Sequence, residues 1–121
     1  MRGSSRFPKA ARLTTSREYQ RVFQGAPHTS TDDCFRLLAV SNRLDHPRLG
    51  LAVSRKAVPR AVQRNRIKRL VRESFRLNQA RLPGLDIVVL ARPRLQEKDN
   101  EALFASLNRH WSRLIRQCET S

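Results

Sequence analysis

Residues 64–76 read RNRIKRLVRESFR, in which six of the thirteen are Arg or Lys and one, Glu73, is acidic. Taken at about 100° per residue, Ile67, Leu70 and Val71 fall on one stripe with Gln63, Ser74 and Asn78, and Phe75 and Leu77 flank it. Asn65, Lys68, Arg69, Arg72 and Arg76 gather on the opposite side, and Arg64 and Arg66 lie near the two boundaries. A helix over residues 58–78 satisfies this pattern, with Pro59 tolerated in its first turn. The apolar stripe must dock on another element, and the far side becomes a ridge of hydrogen-bond donors. Glu73, four residues after Arg69, is its only local relief.

The rest of the chain supplies the surface on which such a helix docks. LDIVVLA (85–91) is continuously apolar, as expected of a central strand covered on both faces. CFRLLAV (34–40) and RLGLAVSR (48–55) read as further strands joined by the loop-like SNRLDHP, and an antiparallel hairpin of these two is expected. In the second, Leu49, Leu51 and Val53 share one face, while Gly50, Ala52 and Ser54 leave room on the other for a helix or a ligand. Thr15 and Glu18 form a capping-box pattern ahead of Tyr19, Val22 and Phe23, so a short amphipathic helix starts there. Leu103, Phe104, Leu107, Trp111, Leu114, Ile115 and Cys118 repeat at helical spacing in a final helix over 100–118, with Trp111 in its core face. The expected order is α-β-β-α-β-α in one α+β domain spanning 1–121. Residues 1–12 form a basic arm carrying Arg6, Lys9 and Arg12, and 119–121 a frayed end.

Charge narrows the function. With 25 Lys+Arg against 10 Asp+Glu in 121 residues, the formal charge is +15 and the pI near 11.7. A field of that sign points to a polyanion. Solvated helix faces mix signs to relieve repulsion; the ridge does not, and Arg forks match phosphate oxygens. Charge alone does not separate RNA from DNA. Tyr19, Phe23 and Phe35 offer either a stacking surface for unpaired bases or packing for the first helix. No apolar run approaches the ~18 residues of a membrane span, and the basic N-terminus lacks a signal peptide's apolar segment, so a cytoplasmic protein is expected. Cys34 and Cys118 lack zinc-site spacing and read as reduced thiols. The acidic residues are dispersed, the histidines have no sequence-local catalytic partner, and no Gly-rich loop is present, so the residues describe a binder.

RNRIKRLVRESFR, preceded by GLAVSRKAVPRAVQ and followed by LDIVVLAR, resembles the protein components of bacterial ribonuclease P, and RLTTSREYQRVF resembles their first helix. The resemblance covers residues 6–118. It implies a two-layer α+β sandwich similar to the second domain of ribosomal S5, with a left-handed β-α-β crossover through the basic helix. It also implies a catalytic RNA partner, Mg²⁺ held mainly by that RNA, one protein per RNA, and removal of the 5′ leader from precursor tRNA with no catalytic protein side chain. Carried onto this chain, the RNA-facing residues would be Arg64, Asn65, Arg66, Lys68, Arg69, Arg72 and Arg76. The leader cleft would be formed by Tyr19, Phe23, Phe35, Val53, Arg55 and Lys56, with Tyr19 where the family often has Phe. A small ribosomal protein, or a DNA-binding protein with its basic helix in a major groove, is the other reading of the same charge.

Overall fold

The computed structural model describes residues 9–120, so Arg6 of the expected arm and the side chain of Lys9 lie outside the description. Helix α1 spans Ser16–Gly25, strands β1, β2 and β3 span His28–Thr31, Phe35–Ser41 and Arg48–Ala52, and helix α2 spans Ala61–Asn78. Strand β4 (Leu85–Ala91) and helix α3 (Asn100–Thr120) complete the fold. The capping box at α1 is formed in both directions: Thr15 Oγ1 accepts from the Glu18 N–H, and Glu18 Oε1 accepts from the Thr15 N–H.

Several boundaries differ from expectation, β2 running Phe35–Ser41 rather than 34–40 and β3 ending at Ala52 rather than 55. Strand β1 is additional; its sequence HTST has no apolar residue, and only Ser30 is buried, so hydrophobic periodicity could not reveal it. Helix α2 begins at Ala61 rather than near 58, because a residue preceding proline is steered out of helical geometry; Val58 is instead wholly buried in the core. Helix α3 runs two residues past Cys118.

The sheet order is β1-β2-β4-β3, with β4 antiparallel to β2 and parallel to β3. The expected hairpin of β2 with β3 therefore does not form, because β4 lies between them. The first five residues of β4 are all buried, and a run that apolar is stable only with neighbours on both sides. Strand alternation divides the sheet into two faces. On one, Phe35, Leu37, Ala39, Leu49, Ile87 and Val89 pack with Ile67, Leu70, Val71 and Phe75 of α2 and Leu103, Leu107, Trp111 and Leu114 of α3. Trp111 is wholly buried as expected, donates from Nε1 to Ser74 Oγ at 2.9 Å, and meets the Phe75 ring edge-on at 5.9 Å. On the other face α1 lies over β2 and β4, its Val22 packing with Leu38 and Val88 and with Leu13 of the segment that precedes it.

A buried polar tie fastens the β1–β2 turn to α3. Asp32 accepts from the backbone of Cys34 and Phe35 at 2.8 and 2.9 Å and from Ser106 Oγ at 2.6 Å. His110 Nδ1 lies 2.6 Å from Ser30 Oγ, and its Nε2 is 3.1 Å from Asp32 Oδ2, close but not aligned for a hydrogen bond. These are the residue types of a hydrolase triad, but His110 has no exposed surface and Ser30 only 5%, so the cluster is structural.

Candidate nucleic-acid interface

The apolar stripe of α2 is buried as its spacing requires, and its cations separate into two groups. Asn65, Lys68, Arg69 and Arg72 have no side-chain hydrogen bond or ion pair among the described residues, and all but the half-exposed Lys68 are exposed. The others are engaged. Arg64 donates to the carbonyls of Val58 and Pro59 at 3.0 and 2.7 Å, tying down the entry to the helix. Arg66 donates to Gln63 and Asn100. Arg76 is bidentate on Glu73, at 3.1 and 2.7 Å. The acidic relief thus goes to Arg76 rather than Arg69, consistent with the better geometry of a carboxylate placed N-terminal to its cation.

The opposite sheet face is organised by register into three rows across β2, β4 and β3: Arg36–Leu90–Ala52, Leu38–Val88–Gly50 and Val40–Asp86–Arg48. Tyr19 sits on the middle row. Its hydroxyl accepts the Leu51 N–H at 3.1 Å, and its ring lies so close to Gly50 that a Cβ there would come within 2.7 Å of it. In the first row Arg36 is exposed and Leu90 and Ala52 are half-buried, leaving that end partly open. A cleft of about 220 Å³ beside Tyr19 is lined by Arg12, Thr14, Leu51, Lys68 and Arg72, among others, so the arm, α1, the β3 edge and the ridge meet there.

Of the expected cleft residues, Phe23 is 48% exposed and Tyr19 half-buried. Phe35 does not belong with them. It is wholly buried on the α2/α3 face, edge-on to His110, because it is in phase with Leu37 and Ala39 while Leu38 faces α1. Val53 likewise packs against the α2/α3 core. Arg55 and Lys56 are exposed in the turn after β3, and the structure does not gather them around the Tyr19 cleft.

Sequence reading missed the charged relay under α1. Arg48 is bidentate on Asp86, with both contacts at 2.8 Å, and reaches Glu18 Oε2 at 3.0 Å. Asn42 donates to Asp86 at 3.0 Å, and Arg21 lies 3.4 Å from it. Burial pushes the Asp86 carboxyl up, but the Arg48 and Asn42 hydrogen bonds and the nearby guanidinium charges outweigh this and hold it below its ordinary value. A carboxylate inside the apolar run of β4 was the available signal, since a buried charge requires a partner.

The profile of the ribonuclease P family matches residues 7–115. The chain belongs to the ribonuclease P protein family. The ribonuclease P protein component of Idiomarina loihiensis is 43% identical over 98% of this chain and 95% of its own length. That of Methylococcus capsulatus is 49% identical over 95% and 89%. Among solved structures, the Staphylococcus aureus ribonuclease P protein superposes with a TM-score of 0.78 at 32% identity, covering 84% of this chain and 93% of that one. The Thermotoga maritima ribonuclease P protein gives 0.74 at 34% identity over 87% and 96%. This chain is accordingly the protein subunit of the ribonucleoprotein endoribonuclease that processes tRNA 5′ ends, and its family works with an RNA subunit.

Proposed function

We propose that the α2 ridge docks on the catalytic RNA while the α1–sheet cleft receives the 5′ leader of precursor tRNA. The supporting observation is the set of side chains Asn65, Lys68, Arg69 and Arg72, none with an internal partner among the described residues, of which Lys68 and Arg72 line the Tyr19 cleft. Cations left without internal partners are available for phosphate, and Tyr19 and Phe23 provide aromatic surface for leader bases. Arg12 extends this surface from the arm. Mg²⁺ is taken to be held mainly by the RNA, as the family resemblance implies; no three His, Cys, Asp or Glu side chains converge among the described residues. One protein per RNA, acting in the cytoplasm, completes the reading; no helix among the described residues is long and apolar enough to cross a membrane.

Reconstitution tests it. The purified chain alone is expected to cleave nothing, whereas the chain with its catalytic RNA removes the leader at lower Mg²⁺ than the RNA alone. Cleavage by RNA-free protein, or an unchanged Mg²⁺ requirement, would overturn it.

A further inference from the structure

We infer that the Glu18–Arg48–Asp86 relay is a positioning device that holds α1 at a fixed height over the sheet and so sets the substrate leader's fit, separately from assembly with the RNA. This rests on the cleft reading above. Glu18 carries two roles on its two oxygens. Oε1 accepts the Thr14 and Thr15 N–H groups at 2.8 and 3.1 Å, fixing the start of α1, while Oε2 meets Arg48. Arg48 is anchored on Asp86, whose side chain has no exposed surface. One turn further along α1, Arg21 donates to the Ser41 carbonyl at 3.1 and 3.3 Å and approaches Asp86.

The helix is therefore held to the sheet by charge at residues 18 and 21. Tyr19, which lines the cleft, and, one turn on, the exposed Phe23 are placed by those anchors. Tyr19 has little tolerance, since its ring rests on Gly50 and its hydroxyl on the Leu51 N–H. A small tilt of α1 would break both contacts. None of the relay residues hydrogen-bonds or ion-pairs with Asn65, Lys68, Arg69 or Arg72; Lys68 and Arg72 share the cleft lining with Tyr19 but are carried by α2, so the ridge is expected to be indifferent to the relay.

Glu18→Gln separates these roles: the amide oxygen still accepts the cap hydrogen bonds, but the charge facing Arg48 is gone. Arg48→Lys keeps the charge and loses the fork that spans both carboxylates. Asp86 is left intact, because removing it leaves the partly buried Arg48 guanidinium without its main partner and threatens folding. Each variant is reconstituted with the catalytic RNA and assayed on precursor tRNA with a long leader and with a leader trimmed to its last nucleotide. Protein–RNA affinity is measured in parallel, and circular dichroism checks the fold.

Both variants are expected to raise KM for the long-leader substrate about tenfold, the scale of one lost charge-assisted contact. The kcat, the KM for the trimmed substrate and the RNA affinity are expected to stay within about twofold of wild type on the same scale. An unchanged KM ratio between the two substrates, or equal losses on both, would overturn the inference. A wild-type holoenzyme that does not distinguish the two leaders would instead overturn the cleft reading, and the relay's assigned role with it.

Discussion

At Gly50 the backbone passes directly beneath the Tyr19 ring, and an added methyl would also come within 3.0 Å of Leu13. Gly50→Ala is expected to lower stability by about 1–3 kcal/mol, the usual range for overpacking; an unchanged denaturation midpoint would show that α1 can lift freely. Two other side chains contribute to the acid response, alongside the lowered Asp86. Burial pushes the Asp32 carboxyl up, but hydrogen bonds from Ser106, Phe35 and Cys34 prevail and hold its pKa at about 2. Its contribution, about 2 kcal/mol, is complete above the unfolded value near 4 and is lost as pH falls through the folded value. His110 is lowered, chiefly by burial. The unfolded chain therefore takes up a proton near pH 6.5 that the folded chain resists, and stability declines as pH drops below that point. Urea midpoints should fall from about pH 6.5 downward and again below about pH 4, and His110→Gln should remove the first decline. A wild-type midpoint equal at pH 7 and 5 would contradict an enclosed neutral imidazole. Residue-scale legibility was uneven for a physical reason. Trp111 and the α2 stripe repeat at helical spacing, whereas Phe35 and Leu38 differ only in strand phase, which aromatic character does not reveal.

Among the elements, α2 is a core helix on one side and, in the proposed function, the RNA-docking surface on the other. Arg69→Ala and Arg72→Ala remove side chains with no internal partner. Each is expected to leave the melting temperature unchanged while reducing the magnitude of the salt slope of RNA binding by about 1. Arg64→Ala should instead lower the melting temperature, because it releases the Val58 and Pro59 carbonyls; equal thermal effects in all three variants would dissolve the division between free and engaged cations. Strand β1 illustrates what periodicity cannot reach. It is an outer strand of polar residues, and its backbone at Thr29 is met by Gln117, whose amide accepts the N–H at 3.2 Å and donates to the carbonyl at 2.7 Å. A side chain there stands in for a neighbouring strand, a device that blunts an exposed edge. Gln117→Ala should increase concentration-dependent association in sedimentation runs, and strictly monomeric behaviour would argue against that role.

For the whole molecule, a charge of +15 makes the compact state work against its own field. Sulfate or phosphate at constant ionic strength should therefore raise the melting temperature more than chloride does, and identical curves would mean that the excess charge is already relieved internally. The class of the fold and the polyanionic partner were legible because both follow from sums over many residues. Strand order was not, since it depends on which partner β4 accepts on each side. That order has a consequence for synthesis on the ribosome. Strands β2 and β3 are made well before the strand that separates them; β2 has β1 on its outer side early, but its inner edge and the ladder of β3 stay open until translation passes Ala91. A nascent chain stalled before Leu85 holds the two flanks of a sheet without its middle, and so depends on chaperones or on speed to avoid pairing them with each other.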